Sequence, residues 1–228
     1  MSIAVPEVEA GAEGGEQHLV LHGVDWEQYV TINDALPDRS GLRMIYIDGS
    51  LTFSTLSRRH DWFEDRFDKI VMVVALQCGI EYEVAGSATF RSEGQKVGVE
   101  GDRTYYFGPH AEIMRGPIDI DLSTQPPPDL AIEVELTHLA DDAIATYARI
   151  GVPEVWRFNV RRKTLAFLLL GEDGVYHPAA RSRSLPPLGP EDVLGQLRIA
   201  EETPSMTRWF AQLNDWVRVA ILTRIAEG

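Results

Sequence analysis

The sequence predicts an α/β fold: a mixed central sheet flanked by helices, with a further amphipathic helix at the C-terminus. Three observations carry this expectation. Apolar, β-branched and aromatic runs recur along the chain, around 81–84, 88–91, 103–107, 130–135, 154–159 and 165–170. Amphipathic stretches at helical spacing interrupt these runs, over 57–77 and 139–149. A third such stretch, 205–226, closes the chain.

Composition narrows the classes. The chain has 228 residues, within the range of one domain, and its 44% hydrophobic and 25% charged content is that of a soluble globular protein. No apolar run of about eighteen residues predicts a membrane span, and the N-terminus lacks the basic-then-apolar layout of a signal peptide. Cys78 is the only cysteine, which excludes an internal disulfide and suits a cytoplasmic location. It falls in an apolar run and reads as a small core residue. The net charge of −14 argues against a simple nucleic-acid binder, because phosphate contacts need Lys and Arg. It says nothing of local patches.

The elements follow in order. Residues 1–17 are rich in Gly, Ala and Glu without periodicity and read as a disordered tail. Asp25 is a plausible N-cap for a short helix to about Ala35. Asp48-Gly49, between two apolar runs, marks a two-residue hairpin. In the helix from about Ser57, Trp62, Phe63, Phe67, Ile70, Val71 and Val74 share a face, and Gly79 closes it. The stretch 110–118 reads as an irregular loop, and 182–190 as a proline-rich connector. In the last helix Met206, Trp209, Phe210, Leu213, Trp216, Val217, Ile221 and Ile225 form one stripe. Two readings of that stripe stand: packing on its own core, or a homodimer interface.

The segment Pro126–Glu135 is the most informative. Glu133 and Glu135 alternate within an apolar strand, so both project from one face. Like charges that close repel and lose hydration unless something neutralises them, and a hard divalent cation does so. Asp102 enters an earlier strand after a glycine turn. An acid on one strand and acid-x-acid on the next is the layout of a metal-dependent nuclease.

Here the chain resembles the restriction endonuclease domain family known as Uma-two, of the PD-(D/E)XK nuclease superfamily, from about Leu21 to about Val193. The pieces come in family order. They are Leu21-His22-Gly23-Val24-Asp25-Trp26-Glu27, Tyr46–Leu51, Ser57-Arg58-Arg59-His60, Thr89-Phe90-Arg91, the Asp102 strand, the Glu133 strand, and Tyr147–Trp156. The resemblance implies a restriction-endonuclease-like domain over 18–200, with 201–228 a C-terminal helix. It implies a DNA endonuclease using Mg²⁺ or Mn²⁺, with Asp102, Glu133 and Glu135 as metal-holding and catalytic acids. His60, Glu100, His138 and Tyr147 are candidates for support around them. DNA is the implied substrate, and a homodimer suits cleavage of both strands.

Two departures stand out. Gly101 replaces a proline common before the aspartate. Ala143 falls four residues before Tyr147, where the family commonly carries lysine. The missing ammonium favours a second reading, a nuclease-fold protein that binds without cutting. The acidic charge leaves a third, a metal-dependent hydrolase of a non-nucleic substrate. Arg149 would face elsewhere on the helix, while Lys69 and Lys96 are not placed by sequence.

Overall fold

The computed structural model describes residues 7–13, 16–36, 41–116, 120–136 and 140–227. Its elements in order are β1 (Glu7–Glu13), β2 (Glu16–His22), α1 (Trp26–Ala35), β3 (Leu42–Ile47), β4 (Ser50–Thr55), α2 (Arg58–Cys78), β5 (Tyr82–Gly86), β6 (Thr89–Ser92), β7 (Val97–Glu100), β8 (Arg103–Phe107), α3 (Pro109–Met114), β9 (Leu130–Glu135), α4 (Ala140–Ile150), β10 (Glu154–Asn159), β11 (Thr164–Leu170), β12 (Tyr176–Ala179), α5 (Pro190–Glu202) and α6 (Met206–Trp216). A π-helical turn (Val217–Ile221) joins α6 to α7 (Leu222–Glu227).

The fold is α/β, with helices flanking the sheets as expected, but the strands divide between two six-stranded sheets. One has the order β1-β2-β4-β3-β7-β6, the other β12-β11-β10-β9-β8-β5. The chain crosses between them at Gly101-Asp102, because β7 pairs with β3 and β6 while β8 pairs with β9 and β5. Asp102 therefore sits on the seam. Arg103 pairs with Ile132 across the antiparallel β8–β9 ladder, which brings Asp102 level with Glu133. β9 and β10 are parallel, joined through α4, and this pair makes the second sheet mixed.

Local chemistry fixes the elements that frame this seam. Asp25 caps α1 and forms a reciprocal capping box with Gln28. Asp48 (φ 50°) and Gly49 (φ 77°) both take the left-handed conformation that a tight hairpin turn requires. Ser57 caps α2 by accepting from the His60 amide, and Gly79 ends it at φ 67°. The buried face of α2 (Phe63, Phe67, Ile70, Val71, Val74) packs on Trp156, Phe158 and Phe167 of the second sheet.

Three expectations change. Residues 7–13 form β1, paired along its length with β2, so this part of the expected tail is a strand. Val8, Ala10 and Ala12 alternate with Glu7, Glu9 and Glu13, a period-two pattern that small residues and Gly11 keep weak. The stretch read as a loop after Phe107 begins with α3, and the region after Leu170 supplies β12 and α5. The stripe of α6 is absorbed by its own chain: Trp209, Leu213, Val217 and Ile221 are buried in the main core. The apolar surface that motivated a homodimer is largely covered. Cys78 is half-buried, and burial pushes its thiol up, as suits a packing residue. No helix of the described residues is long and apolar enough to cross a membrane.

Candidate active site

The seam between the sheets opens into a small cleft of about 50 Å³ lined by Asp102, Glu133, Glu135, Glu100, His60 and Arg43, among others. Asp102, Glu133 and Glu135 are all buried.

Asp102 is held rigidly. Its Oδ2 accepts from the Val134 amide at 2.8 Å and meets His60 Nε2 at 3.0 Å. Arg43 Nε lies 3.9 Å from Oδ1. Burial alone would raise its pKa, yet His60, the Val134 amide and Arg43 outweigh burial and hold the carboxyl below its ordinary value.

His60 stands between two acids. Its Nδ1 lies 3.2 Å from Glu64 Oε1, in a geometry that makes no hydrogen bond. Burial disfavours the imidazolium, but Asp102 and Glu64 more than offset it and raise the His60 pKa well above the ordinary value. Arg43 (3.6 Å) and Arg103 (3.3 Å) also reach Glu64.

Glu133 is answered less well. The Tyr147 hydroxyl donates to its Oε1 at 2.7 Å. Burial first, and repulsion from Asp102 second, push its pKa well above the carboxylate range, and Tyr147 and His60 offset this only in part. Two residues on, Glu135 is answered fully: Arg157 donates through Nε and Nη2 at 3.0 Å each, and Asn159 Nδ2 lies at 3.4 Å. Arg157 Nη1 also bridges to Asp141 at 2.8 Å.

Two donor sets suit a cation. Ligand atoms of His60, Glu64 and Asp102 lie within 4.8 Å of one another. That group, however, is already neutralised by Arg43, Arg103 and the imidazolium. Asp102 and Glu133 line the same cleft, and Glu133 is the less well answered of the two. Their hard carboxylate oxygens are of the chemistry that magnesium or manganese takes.

A model of the family described as "Uma2: Putative restriction endonuclease" matches residues 26–202. The chain belongs to this family. Among solved structures it is similar to a protein of Anabaena variabilis described as a putative nuclease belonging to DUF820. That likeness has a TM-score of 0.51 at 14% identity and covers 75% of this chain and 98% of that one, so it speaks for the fold. No curated protein matches.

Within this Uma2 chain the remaining sequence candidates take distinct places. Glu100 lines the cleft and accepts from the Met44 amide (3.1 Å) and Thr89 Oγ1 (3.0 Å). Tyr147 serves Glu133 directly. His138 lies outside the described residues. Gly101 is required by close approach: a Cβ there would lie 2.4 Å from Tyr147 Oη and 2.9 Å from Thr104 Cγ2. Ala143 is buried on the same face of α4 as Tyr147, one turn earlier, and brings no charge. Arg149 pairs with Asp48, Lys69 with Asp65, and Lys96 with Glu93, so none replaces the absent ammonium. Sequence reading missed Arg43, Glu64, Arg103 and Arg157. Glu64 alone left a signal, at i+4 from His60 on one helix face.

Another cleft, about 750 Å³, lies elsewhere, between α1, β6 and residues 121–123. Its acids include Glu27, Glu93 and Asp121, and its Arg91 is paired with Asp34 at 2.7 Å. It suits an anionic substrate poorly.

Proposed function

We propose that this protein is a metal-dependent DNA endonuclease, hydrolysing phosphodiester bonds with Mg²⁺ or Mn²⁺ held by Asp102 and Glu133. The observation that supports it is the pair of buried carboxylates, Asp102 and Glu133, lining one cleft in a chain of a nuclease family. When bound, the cation would supply Lewis-acid charge and a more acidic water. Asp102 is pre-oriented for this by the Val134 amide and His60, and Glu133 by Tyr147. Glu133 must lose its proton to serve, so cation affinity rises with pH.

Glu135 also anchors Arg157, whose guanidinium reaches Asp141 near the start of α4. One observation favours the competing reading of a binding module without catalysis: among the described residues no lysine lines the cleft.

Supercoiled plasmid incubated with the protein and Mg²⁺ or Mn²⁺ separates the two. Nicking that needs the cation and is lost in Glu133→Gln is the expected result. Plasmid left supercoiled by protein that still binds Mn²⁺ would favour the binding module.

A further inference from the structure

We propose that a second cleft, abutting the metal centre and carrying Arg162, is the subsite for a backbone phosphate neighbouring the scissile one. This rests on the nuclease reading and deepens it: the substrate is a polynucleotide strand running across β10 and β11, not an isolated phosphoester.

The cleft has a volume of about 310 Å³ and is lined by Glu135, Arg157, Asn159, Arg162 and Thr164 among others. That is the lower end of the range for ligand-binding clefts. Glu135 lines both this cleft and the acidic one, so the two share a wall. Arg157 neutralises the shared Glu135, which removes the repulsion a phosphate would otherwise meet there.

Among the described residues, the Arg162 guanidinium has no ion-pair partner, and it lines this cleft. In a chain of net charge −14, most described basic side chains are matched to acids, as Arg43, Arg103, Arg157 and Lys163 are. The Arg162 amide donates to Asn159 Oδ1 at 2.8 Å, which fixes the β10–β11 turn. Its exposed guanidinium makes no ion pair, while the next residue, Lys163, turns to Glu201 and lies 4.5 Å from the Phe63 ring. A guanidinium lining the same cleft as the Asn159 amide and the Thr164 hydroxyl offers the donor chemistry that a phosphate takes.

Arg58 and Arg59 are likewise exposed, without ion pairs among the described residues. They fall between Leu56 and His60, which line the acidic cleft.

The test is fluorescence anisotropy of a fluorescein-labelled DNA duplex with the full chain in Ca²⁺ buffer, as a function of salt. Arg162→Gln should weaken binding roughly tenfold and reduce the slope of log K against log salt by about one. Arg162→Lys should restore much of the affinity. Arg208→Gln removes an equally unpaired charge from α6, which lines neither cleft, and should change little. Equal affinity and slope for wild type and Arg162→Gln overturns the subsite, even if wild type nicks plasmid. A wild-type protein that neither binds duplex nor nicks plasmid overturns the nuclease reading, and the subsite with it.

Discussion

A buried acid is costly only when nothing answers its charge, and Glu154 and Glu133 show both outcomes. Glu154 accepts from the Trp156 indole at 2.7 Å and from the amides of Arg183 and Ser184, which makes it a structural tie. Glu133 has a neighbouring carboxylate and a hydroxyl instead. The pH dependence follows from the directions of shift. His60 is raised above its unfolded value, so its contribution is complete below about pH 6.5 and is lost as pH rises through its folded value. Glu133, also raised, adds a loss in the same direction. Asp102 is lowered, so its share is present above its unfolded value and lost in acid. Urea unfolding should therefore show wild type losing more stability than His60→Gln between about pH 6 and about pH 9. At about pH 6 the variant should be weaker by about 3–5 kcal/mol, as when a buried pair is broken. Equal pH slopes for the two would contradict the charged pair. At this scale the alternation of Glu133 and Glu135 was legible in sequence. Their opposite fates were not, because Arg157 reaches Glu135 only through the parallel β9–β10 register.

Among the elements, the two helices that frame the site were readable from their caps and apolar spacing. The split into two sheets was not, since a strand pattern does not name its partner. Gly101 marks the crossing, and its need for glycine comes from Tyr147, far away in sequence. Gly101→Ala should cost about 1–3 kcal/mol by overpacking. Tyr147→Phe in that background should recover part of the loss, because the 2.4 Å clash is with the hydroxyl. Thermal melts of the single and double variants check this, and additive losses would refute the coupling. Ala143 offers a second test. A lysine there would lie one turn from Tyr147, with its stem leaning toward the start of α4 and the cleft. Ala143→Lys should increase Mg²⁺-dependent nicking on the order of a hundredfold, the scale of one transition-state electrostatic group. No increase in a folded variant would mean that Arg157 already fills that part.

For the whole molecule, the final helices belong to the core. Trp209 is buried, its indole donates to Gln196 O at 3.1 Å, and Arg66 lies 5.4 Å from its ring. Truncation after Pro204 should thus expose the main core and lower the melting temperature sharply, whatever the oligomeric state. An unchanged melt would contradict this packing. The amphipathic stripe was legible in sequence, but what covers it was decided by α2 and α5, whose placement composition does not reveal. The central claim concerns the seam where the sheets meet, and calorimetric titration with Mn²⁺ tests it most directly. Wild type should bind manganese at one site, more tightly as pH rises. Asp102→Asn and Glu133→Gln should abolish that site, while Glu135→Gln, which removes only the anchor of Arg157, should keep it. Undiminished binding by Asp102→Asn or Glu133→Gln would place the cation elsewhere and contradict the account.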